Sequence, residues 1–185
     1  EKISTRVVKL FLKEFDQITK DINGSISFRD FLINSELTSL SRYLLNKGAQ
    51  ANSVFSQIYD LKKDKLPIKS NIRKSYKSLI NWGIRELQPA VFDAKNITWE
   101  LMDEFRRLHI RESGRETRTE ESWRRQFEMV KKGEAFVVFG FYGDKIVSAG
   151  LFIHNKTNCY YGVPASRRDL FEKPMFHSLM WTAIQ

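Results

Sequence analysis

A serine and two adjacent arginines form the pattern in this sequence that best suits ligand chemistry. Ser166, Arg167 and Arg168 follow an apolar run and precede a predicted helix that begins with a proline. The amide groups and the dipole of a helix N-terminus favour an anion, and two guanidinium groups bind a phosphate or carboxylate through paired hydrogen bonds. We therefore predict that these three residues bind a phosphate-bearing cofactor. The alternative is that one arginine pairs with Asp169 or Glu172 and only holds the loop.

A second pair of arginines, Arg115 and Arg118, lies in a glycine-containing segment between two predicted helices. Side chains in such loops are free to reach a ligand, so both are candidate substrate-binding residues. Four nearby acids offer the alternative of ordinary surface ion pairs; they are Glu112, Glu116, Glu120 and Glu121.

One histidine and two tyrosines are the acid–base candidates. His177 lies in the predicted last helix and is a candidate general base, because imidazole titrates near neutral pH. The alternative is that its ring only packs beside Trp181, four residues later. Tyr160 and Tyr161 project from opposite faces of a predicted strand, so no more than one of them faces a substrate cleft. We treat Tyr161 as a catalytic candidate and Tyr160 as a substrate-binding candidate.

The sequence predicts no metal site and no nucleophile motif. The histidines are far apart and come without cysteine pairs or a His-Glu helix motif; they are His109, His154 and His177. Neither a Gly-x-Ser-x-Gly turn nor a Gly-Lys-Ser/Thr phosphate loop occurs.

A basic stretch between residues 60 and 77 carries seven cations against two aspartates, Asp60 and Asp64. The cations are Lys62, Lys63, Lys65, Lys69, Arg73, Lys74 and Lys77. Such a face suits the phosphates of a tRNA or an anionic lipid. The simpler interpretation is a solvated helix face, because Tyr76 is the only aromatic residue interleaved with the basic residues of the helix.

The elements that must position these residues change character near Gly133. Before it, apolar residues at helical spacing alternate with short strand-like runs. The chain is predicted to begin with a helix at 4–22 that has one buried stripe, a strand at 25–33, a helix at 35–46 and a strand at 54–61. A helix at 68–82, ending at Gly83, and a strand at 90–97 follow. Two further helices are capped by Thr98 and Thr119. After it, runs at 135–142, 146–154 and 157–163 predict an antiparallel meander, followed by a polar loop at 164–173 and a helix from Pro174.

Composition limits the classes of function. The chain has 185 residues, of which 42% are hydrophobic, and this is enough to bury a core. We expect neither a membrane-spanning helix nor a secretory signal, although peripheral membrane contact is compatible with the charge. A single cysteine, Cys159, favours a reducing, cytoplasmic compartment. The net charge of +9 favours anionic partners, among them a nucleotide cofactor, a lipid or RNA.

Several strings of residues resemble FemAB-like proteins of the GNAT superfamily of acyltransferases. The strings are IRKSYKSLINWG at 72–83, GRETR at 114–118 and YYGVPASRRDL at 160–170, with Trp123, Pro174, His177 and Trp181 as single matching residues. The resemblance covers roughly the last 120 residues. It implies an α+β (α/β) fold with a mixed, largely antiparallel sheet flanked by helices. It also makes Trp123 a candidate substrate contact.

The resemblance implies a division of the chain into parts. We expect a partial GNAT-like half at 1–67, a connecting basic helix at 68–89, and a C-terminal GNAT-like acyltransferase domain at 90–185 that is incomplete at its end. The chain opens without a methionine and closes inside a helical pattern, so it is predicted to be a fragment.

The resemblance implies transfer of an acyl group from acetyl-CoA or another acyl-CoA to an amine or hydroxyl of a sugar, an amino-acid-like acceptor or a lipid-linked sugar. The acceptor attacks directly, and no covalent enzyme intermediate forms. Many such proteins bind the CoA pyrophosphate with an Arg/Gln-x-x-Gly-x-Gly/Ala loop, which is missing between Val163 and Pro174. This difference favours one alternative, an aminoacyltransferase that uses charged tRNA. A second alternative is a non-catalytic module that binds RNA or another anion.

Overall fold

The computed structural model describes residues 4–30, 36–52, 57–61, 68, 70–170 and 172–185. The chain divides into two compact units, Glu1–Ile58 and Tyr59–Gln185. This division places the segment predicted as a connecting helix, 68–89, within the second unit. In the described part of the chain, no helix is both long enough and apolar enough to cross a membrane.

Two helices form the described part of the first unit. Helix α1 spans Thr5–Lys20 and helix α2 spans Ser39–Asn46, and each begins after a residue whose side chain accepts a bond from a backbone N–H group. Asp16 of α1 accepts a hydrogen bond from the hydroxyl of Tyr43 in α2. The same carboxylate lies 3.7 Å from the ammonium group of Lys47. These contacts join the two helices through polar groups.

The predicted strands of the first unit are not present in its described residues. Residues 25–30 and 57–61 form no strand. Ile26 and Phe28, which were expected to alternate in a sheet, are exposed. An extended segment forms a stable strand only when another strand pairs with it, and the described residues offer none here. The remaining positions, 31–33 and 54–56, lie outside the described residues.

The apolar stripe of α1 is only partly covered, although the sequence predicted that it would be buried: Val8 and Phe15 are half-buried, and the others are exposed. The helix itself is confirmed, but none of its residues is buried. Phe11 and Ile18 expose 53% and 70% of their surface. Apolar spacing predicts a helix with an apolar face, whereas burial also needs a partner surface, and the eight-residue α2 covers only part of this face.

The second unit is an antiparallel sheet flanked by helices, which confirms the predicted α+β class. Its elements are α3 (Lys74–Leu87), β1 (Ala90–Phe92), α4 (Trp99–Ser113), α5 (Glu120–Lys131), β2 (Ala135–Tyr142), β3 (Lys145–His154), β4 (Cys159–Ser166) and α6 (Phe176–Ile184). The strands lie in the order β1-β2-β3-β4, and every neighbouring pair is antiparallel. Strand β4 is therefore an edge of the described sheet.

The sheet separates two hydrophobic cores, because successive strand residues face opposite sides. On one side, Val137 packs with Phe105 of α4 and Trp123 of α5. On the other side, Val138 packs with α3 and with Leu179 of α6. The sheet thus holds α4 and α5 on one face and α3 and α6 on the other.

Helix α3 continues through Gly83, where the sequence predicted its end. A Cβ atom built at Gly83 would lie 2.4 Å from Oγ of Ser178 in α6. The glycine therefore permits a close approach of two helices and does not terminate the first. The helix ends at Gln88, whose φ of 41° lies in the left-handed region.

Strands β1 and β4 differ in length from the predictions. Strand β1 ends at Phe92 because the side chains of Asp93 and Asn96 accept bonds from nearby backbone N–H groups and close a turn. Strand β4 continues through Pro164 into the segment predicted as a loop. An edge strand tolerates proline, whose missing N–H group is not needed on the open side.

Candidate functional site

Ser166 lies at the end of β4, and its side chain is bonded within the protein. Its hydroxyl lies 2.5 Å from the hydroxyl of Ser148, its partner across β3 and β4. Ser148 is fully buried. The backbone N–H of Arg167 then donates to the carbonyl of Val147 at 2.8 Å. Ser166 is thus a strand residue, which corrects the predicted loop, and a ligand would compete with Ser148 for its hydroxyl.

Arg167 is held by Asp169, as the alternative interpretation predicted. Nε of Arg167 donates to Oδ1 of Asp169 at 2.9 Å, and Nη2 donates to Oδ2. Arg111, near the end of α4, donates to the same Oδ2 at 3.2 Å. The hydrogen bonds from Arg167, with the charges of both arginines, hold the pKa of Asp169 at about 2. The carboxylate therefore stays ionised at neutral pH and orients Arg167.

Arg168 is anchored through its backbone, and its side chain is exposed. Its N–H group donates to Oε2 of Glu112 in α4 at 3.3 Å. Among the described residues, no carboxylate forms an ion pair with its guanidinium. Three arginines thus meet two acids at this end of β4; they are Arg111, Arg167 and Arg168 against Glu112 and Asp169. The excess cation is available to an anionic ligand.

Arg115 is exposed in the turn after Gly114, which ends α4 with a φ of 70°. Its carbonyl accepts a hydrogen bond from the Ser113 hydroxyl at 2.6 Å. The acids expected to neutralise it contact other arginines: Glu112 contacts Arg111, Glu116 contacts Arg106, Glu120 contacts Arg124 and Glu121 contacts Arg125. Within the described residues, no carboxylate pairs with its guanidinium.

Arg118 contacts His109, a histidine that was not among the predicted site residues. Its Nη1 lies 3.3 Å from Nε2 of His109. Because a guanidinium only donates, Nε2 accepts and the ring proton lies on Nδ1. Nδ1 is buried and has no hydrogen-bond partner among the described residues. Burial, followed by the charge of Arg118, lowers the pKa of His109.

Trp123 lies in the core and does not reach the surface. Its indole is 0% exposed and makes edge contacts with Phe105 and His109 at centroid distances of 5.0 and 5.5 Å. A ligand cannot touch a fully covered ring, so Trp123 is not a substrate contact. It packs against His109, which in turn contacts Arg118.

His177 and Tyr161 lie on the side of the sheet that carries α3 and α6. The His177 ring stacks on Tyr76 of α3 at 5.0 Å, and its Nδ1 lies 3.5 Å from the Pro174 carbonyl. That carbonyl only accepts, so the bond places the ring proton on Nδ1 and leaves Nε2 as an acceptor. Tyr161 contacts Phe176, the first residue of α6, at a ring distance of 5.0 Å. Burial raises the pKa of Tyr161 above its ordinary value.

Tyr160 and Tyr161 lie on opposite faces, as predicted from strand alternation. Tyr161 pairs with Phe152 and stacks on it, whereas Tyr160 pairs with Ile153 and is 53% exposed. The β3–β4 register shifts next to these residues, at Leu151 and Phe152. Bulges commonly re-aim side chains, and here the shift lies beside the more buried tyrosine.

Only part of the basic stretch lies in the described chain. Arg73, Lys74 and Lys77 are described, and Lys77 donates to the Ser70 carbonyl at 3.0 Å. Between the basic residues, Tyr76 is 44% exposed. The other predicted cations lie outside the described residues; they are Lys62, Lys63, Lys65 and Lys69.

A surface depression of about 460 Å³ lies on the first half of α4, apart from every predicted site residue. It is lined by Trp99, Glu100, Asp103, Glu104 and Arg107. In the described chain, no group of three or more metal-ligating side chains is placed to hold a metal ion. The depression is acidic and offers no anion site.

Comparison with protein-family models, curated proteins and solved structures found no match to this chain. The arrangement of the described residues therefore has to carry the functional interpretation.

The structure reveals two partners that sequence reasoning missed, Arg111 and His109. Both lie on α4. The spacing of apolar residues along a helix predicts which residues face the core, but it does not predict the partners of its polar residues. Their contacts reach Asp169 and Arg118, 58 and 9 residues away. Spacing within one helix carries no signal for such contacts.

Proposed function

We propose that this protein is an acyltransferase. It moves an acyl group from acyl-CoA, in the cytoplasm, to an amine or hydroxyl of a sugar, an amino-acid-like molecule or a lipid-linked sugar. The observation that carries the proposal is the cationic excess at the end of β4, where the Arg168 guanidinium is exposed and has no acidic partner among the described residues. The resemblance of 160–170 to FemAB-like proteins supports the same assignment.

The donor phosphates bind the arginines at the end of β4. Arg168 supplies a free guanidinium, while Asp169 orients Arg167 beside it. Arg115 lies three residues after Glu112, whose carboxylate holds the Arg168 backbone. Arg115 and Arg168 thus flank one junction between β4 and α4. Two guanidinium groups that need no internal ion pair bind phosphate oxygens with charge-assisted hydrogen bonds.

The acyl end of the donor lies along the open edge of β4. Backbone N–H and C=O groups on that side have no strand partner in the described sheet, and an extended chain with amide groups can pair with such an edge. Residues 161 and 166 are about 17 Å apart along a strand. A long thioester arm anchored at Arg168 therefore reaches toward Tyr161.

The chemical step is direct attack of the acceptor on the thioester carbonyl. The acceptor nitrogen or oxygen forms the new acyl bond, the C–S bond breaks, and the CoA thiolate leaves. Nε2 of His177 accepts the proton that the acceptor loses. Tyr161 stays protonated because burial raises its pKa, so its hydroxyl donates a hydrogen bond to the leaving thiolate, which then takes up a proton from water. Holding both substrates in line contributes much of the rate enhancement.

Calorimetric titration of the full chain with acetyl-CoA tests the donor site. We expect saturable binding that weakens about tenfold or more in Arg168→Ala, because a charge-assisted bond to phosphate is lost. Arg125→Ala is the matched control, since Arg125 is an exposed arginine paired with Glu121. Turnover of acetyl-CoA with amino-sugar acceptors then tests catalysis. Absence of binding, or equal loss in both variants, would reject the proposal.

A second candidate is transfer from aminoacyl-tRNA. The +9 charge favours it, as does the exposed Tyr76 between basic residues of α3. Binding to a polyphosphate chain falls steeply with salt, whereas CoA binding depends on salt much less. Titrating charged tRNA at low and moderate salt therefore separates the two donors. Binding of RNA without turnover of either donor would indicate a non-catalytic module.

A further inference from the structure

The strongest feature outside the proposed site is the exposed apolar face of α1. At about 100° per residue, Val7, Phe11 and Ile18 fall within about 40° of one another. They are 53%, 53% and 70% exposed. Leu10 extends this face, and Ile22, just beyond the C-cap Asp21, is also exposed. An apolar face of this extent on a water-exposed helix marks an interaction surface.

A row of cations borders this face. Arg6, Lys9 and Lys13 surround Leu10 in one surface depression. Lys9 and Lys13 are four residues apart, where like charges destabilise an isolated helix. The row therefore gains from an anionic neighbour.

The acids of α1 do not neutralise this row. The carboxylate of Asp16 accepts a hydrogen bond from Tyr43 of α2 and lies 3.7 Å from the ammonium group of Lys47, the C-cap of α2. It therefore interacts with α2 and not with the cations of α1. Glu14 is the other acid in the helix. It lies seven residues after Val7 and so on the apolar side, away from the cations, and the first turn has no acid. Lys20 adds a fourth cation to the helix. The exposed surface of α1 is thus apolar on one side, apart from Glu14, and mainly cationic beside it.

We propose that α1 lies on an anionic lipid surface, with Val7, Phe11 and Ile18 among the acyl chains and Arg6, Lys9 and Lys13 at the headgroups. An amphipathic helix with large apolar residues on one side and Lys or Arg beside them binds this interface. At 16 residues, α1 spans about 24 Å, which is shorter than a bilayer core, so it lies on the surface and does not cross it. The cations favour anionic lipid over an uncharged apolar groove.

Co-sedimentation of the full chain with lipid vesicles tests the proposal. We expect binding to phosphatidylcholine vesicles that contain phosphatidylglycerol and about tenfold or more weaker binding to phosphatidylcholine alone. The double variant Phe11→Gln/Ile18→Gln should abolish the binding. Lys9→Gln/Lys13→Gln should weaken it and reduce its dependence on salt.

Matched controls come from the second unit. Ile84→Gln changes an apolar residue that is also exposed, and Lys132→Gln/Lys156→Gln removes two exposed cations. Both control variants should bind vesicles like the original chain. Circular dichroism checks that every variant folds.

Three outcomes would overturn the lipid proposal. The first is no vesicle binding, and the second is binding that the α1 variants leave unchanged. The third is a dimer, seen by sedimentation velocity, that the Phe11 and Ile18 changes dissociate, because a second copy would then occupy the face. The proposal does not depend on acyl transfer, and the α1 variants should keep their affinity for acetyl-CoA.

Discussion

Gly83 and Ser178 meet where α3 crosses α6, closely enough that a methyl group would not fit. A Cβ atom built at Gly83 would lie 2.4 Å from Oγ and 2.6 Å from Cβ of Ser178. The contact joins two helices that carry proposed site residues, since Tyr76 of α3 stacks on His177 of α6. The position of His177 therefore depends on this crossing.

Gly83→Ala should destabilise the protein despite the better helix propensity of alanine. Alanine gains about 1 kcal/mol over glycine in a helix interior, whereas overpacking a buried contact costs about 1 to 3 kcal/mol. Because both clashing atoms are close to the backbone, we expect a net loss in the free energy of unfolding, measured by urea denaturation. Asn81→Ala, at an exposed position of the same helix, should not destabilise.

A compensating change tests whether the contact causes this loss. Ser178→Gly removes both clashing atoms, so Gly83→Ala should cost less in that background than alone. Equal costs in the two backgrounds, or a Gly83→Ala protein as stable as the original, would show that the crossing relaxes without penalty.

The carboxyl group of Asp169 should titrate near a pKa of about 2. Carbon-detected NMR of the side-chain carboxyl measures this value directly. Arg167→Ala should raise the pKa toward its ordinary 3.8, because the hydrogen bonds from Arg167 are the largest cause of the shift. Arg111→Ala should raise it less, because the charge of Arg111 is the smallest cause.

The same shift predicts how stability depends on pH. A lowered carboxyl pKa contributes stability that is fully present above about pH 4 and is lost as pH falls toward 2. Arg167→Ala should therefore narrow the difference in unfolding free energy between these two pH values. An Asp169 that titrates near 3.8 in the original chain would contradict the geometry.

The pKa of His109 in the folded protein should lie below its ordinary value of 6.5, so that the ring is still neutral at pH values where a free imidazole is protonated. NMR titration of its ring proton is the measurement. Arg118→Gln should raise the pKa of His109 but leave it below 6.5, because burial is the larger of the two causes. Arg115→Gln is the control, since Arg115 is exposed and no contact joins it to His109 in the described chain.

The lowered pKa of His109 also has a consequence for stability. The unfolded chain binds the proton more readily, so stability is full above about pH 6.5 and declines as pH falls through the folded pKa. The decline should be smaller in Arg118→Gln. A His109 that protonates at or above 6.5 in the folded protein would show that its ring is open to water.

Tyr161→Phe should lower the rate of acyl transfer while leaving donor binding intact. The hydroxyl donates a hydrogen bond to the leaving sulfur in the proposed step, and loss of one such donor to a developing negative charge costs about 100-fold in rate. Phenylalanine keeps the ring contacts with Phe152 and Phe176, so the fold should survive. Tyr142→Phe, at an exposed tyrosine of β2 without a proposed role, is the matched control. An unchanged rate would restrict Tyr161 to packing.

Local signals in the sequence predicted the local structure. The side chains of Thr98 and Thr119 cap α4 and α5 as expected, because a capping bond joins residues three positions apart. The β2–β3 meander was predicted from its apolar runs and the Gly143 turn. In each case the residues that determine the feature are close together in the chain.

The sequence alone could not decide which distant groups meet. Gly83 looks the same in the sequence whether it ends a helix or allows a second helix to pack closely against it. Only the contact with Ser178 of α6 shows that the second role applies. Similarly, the apolar spacing in α1 predicts a helix, but it does not predict which surface, if any, packs against the apolar face. Among the arginines, Asp169 engages Arg167 while Arg168 stays exposed.

The sequence by itself determined the amphipathic helices, their caps and the antiparallel meander, because these follow from periodicity and from contacts within a few residues; the α+β class was implied by the family resemblance. Tertiary structure decided that β4 extends to Ser166, that Trp123 is covered, and that Arg111 shares Asp169 with Arg167. The physical reason is that burial and ion pairing depend on which surfaces are brought together across tens of residues, and spacing along the chain does not encode that choice locally.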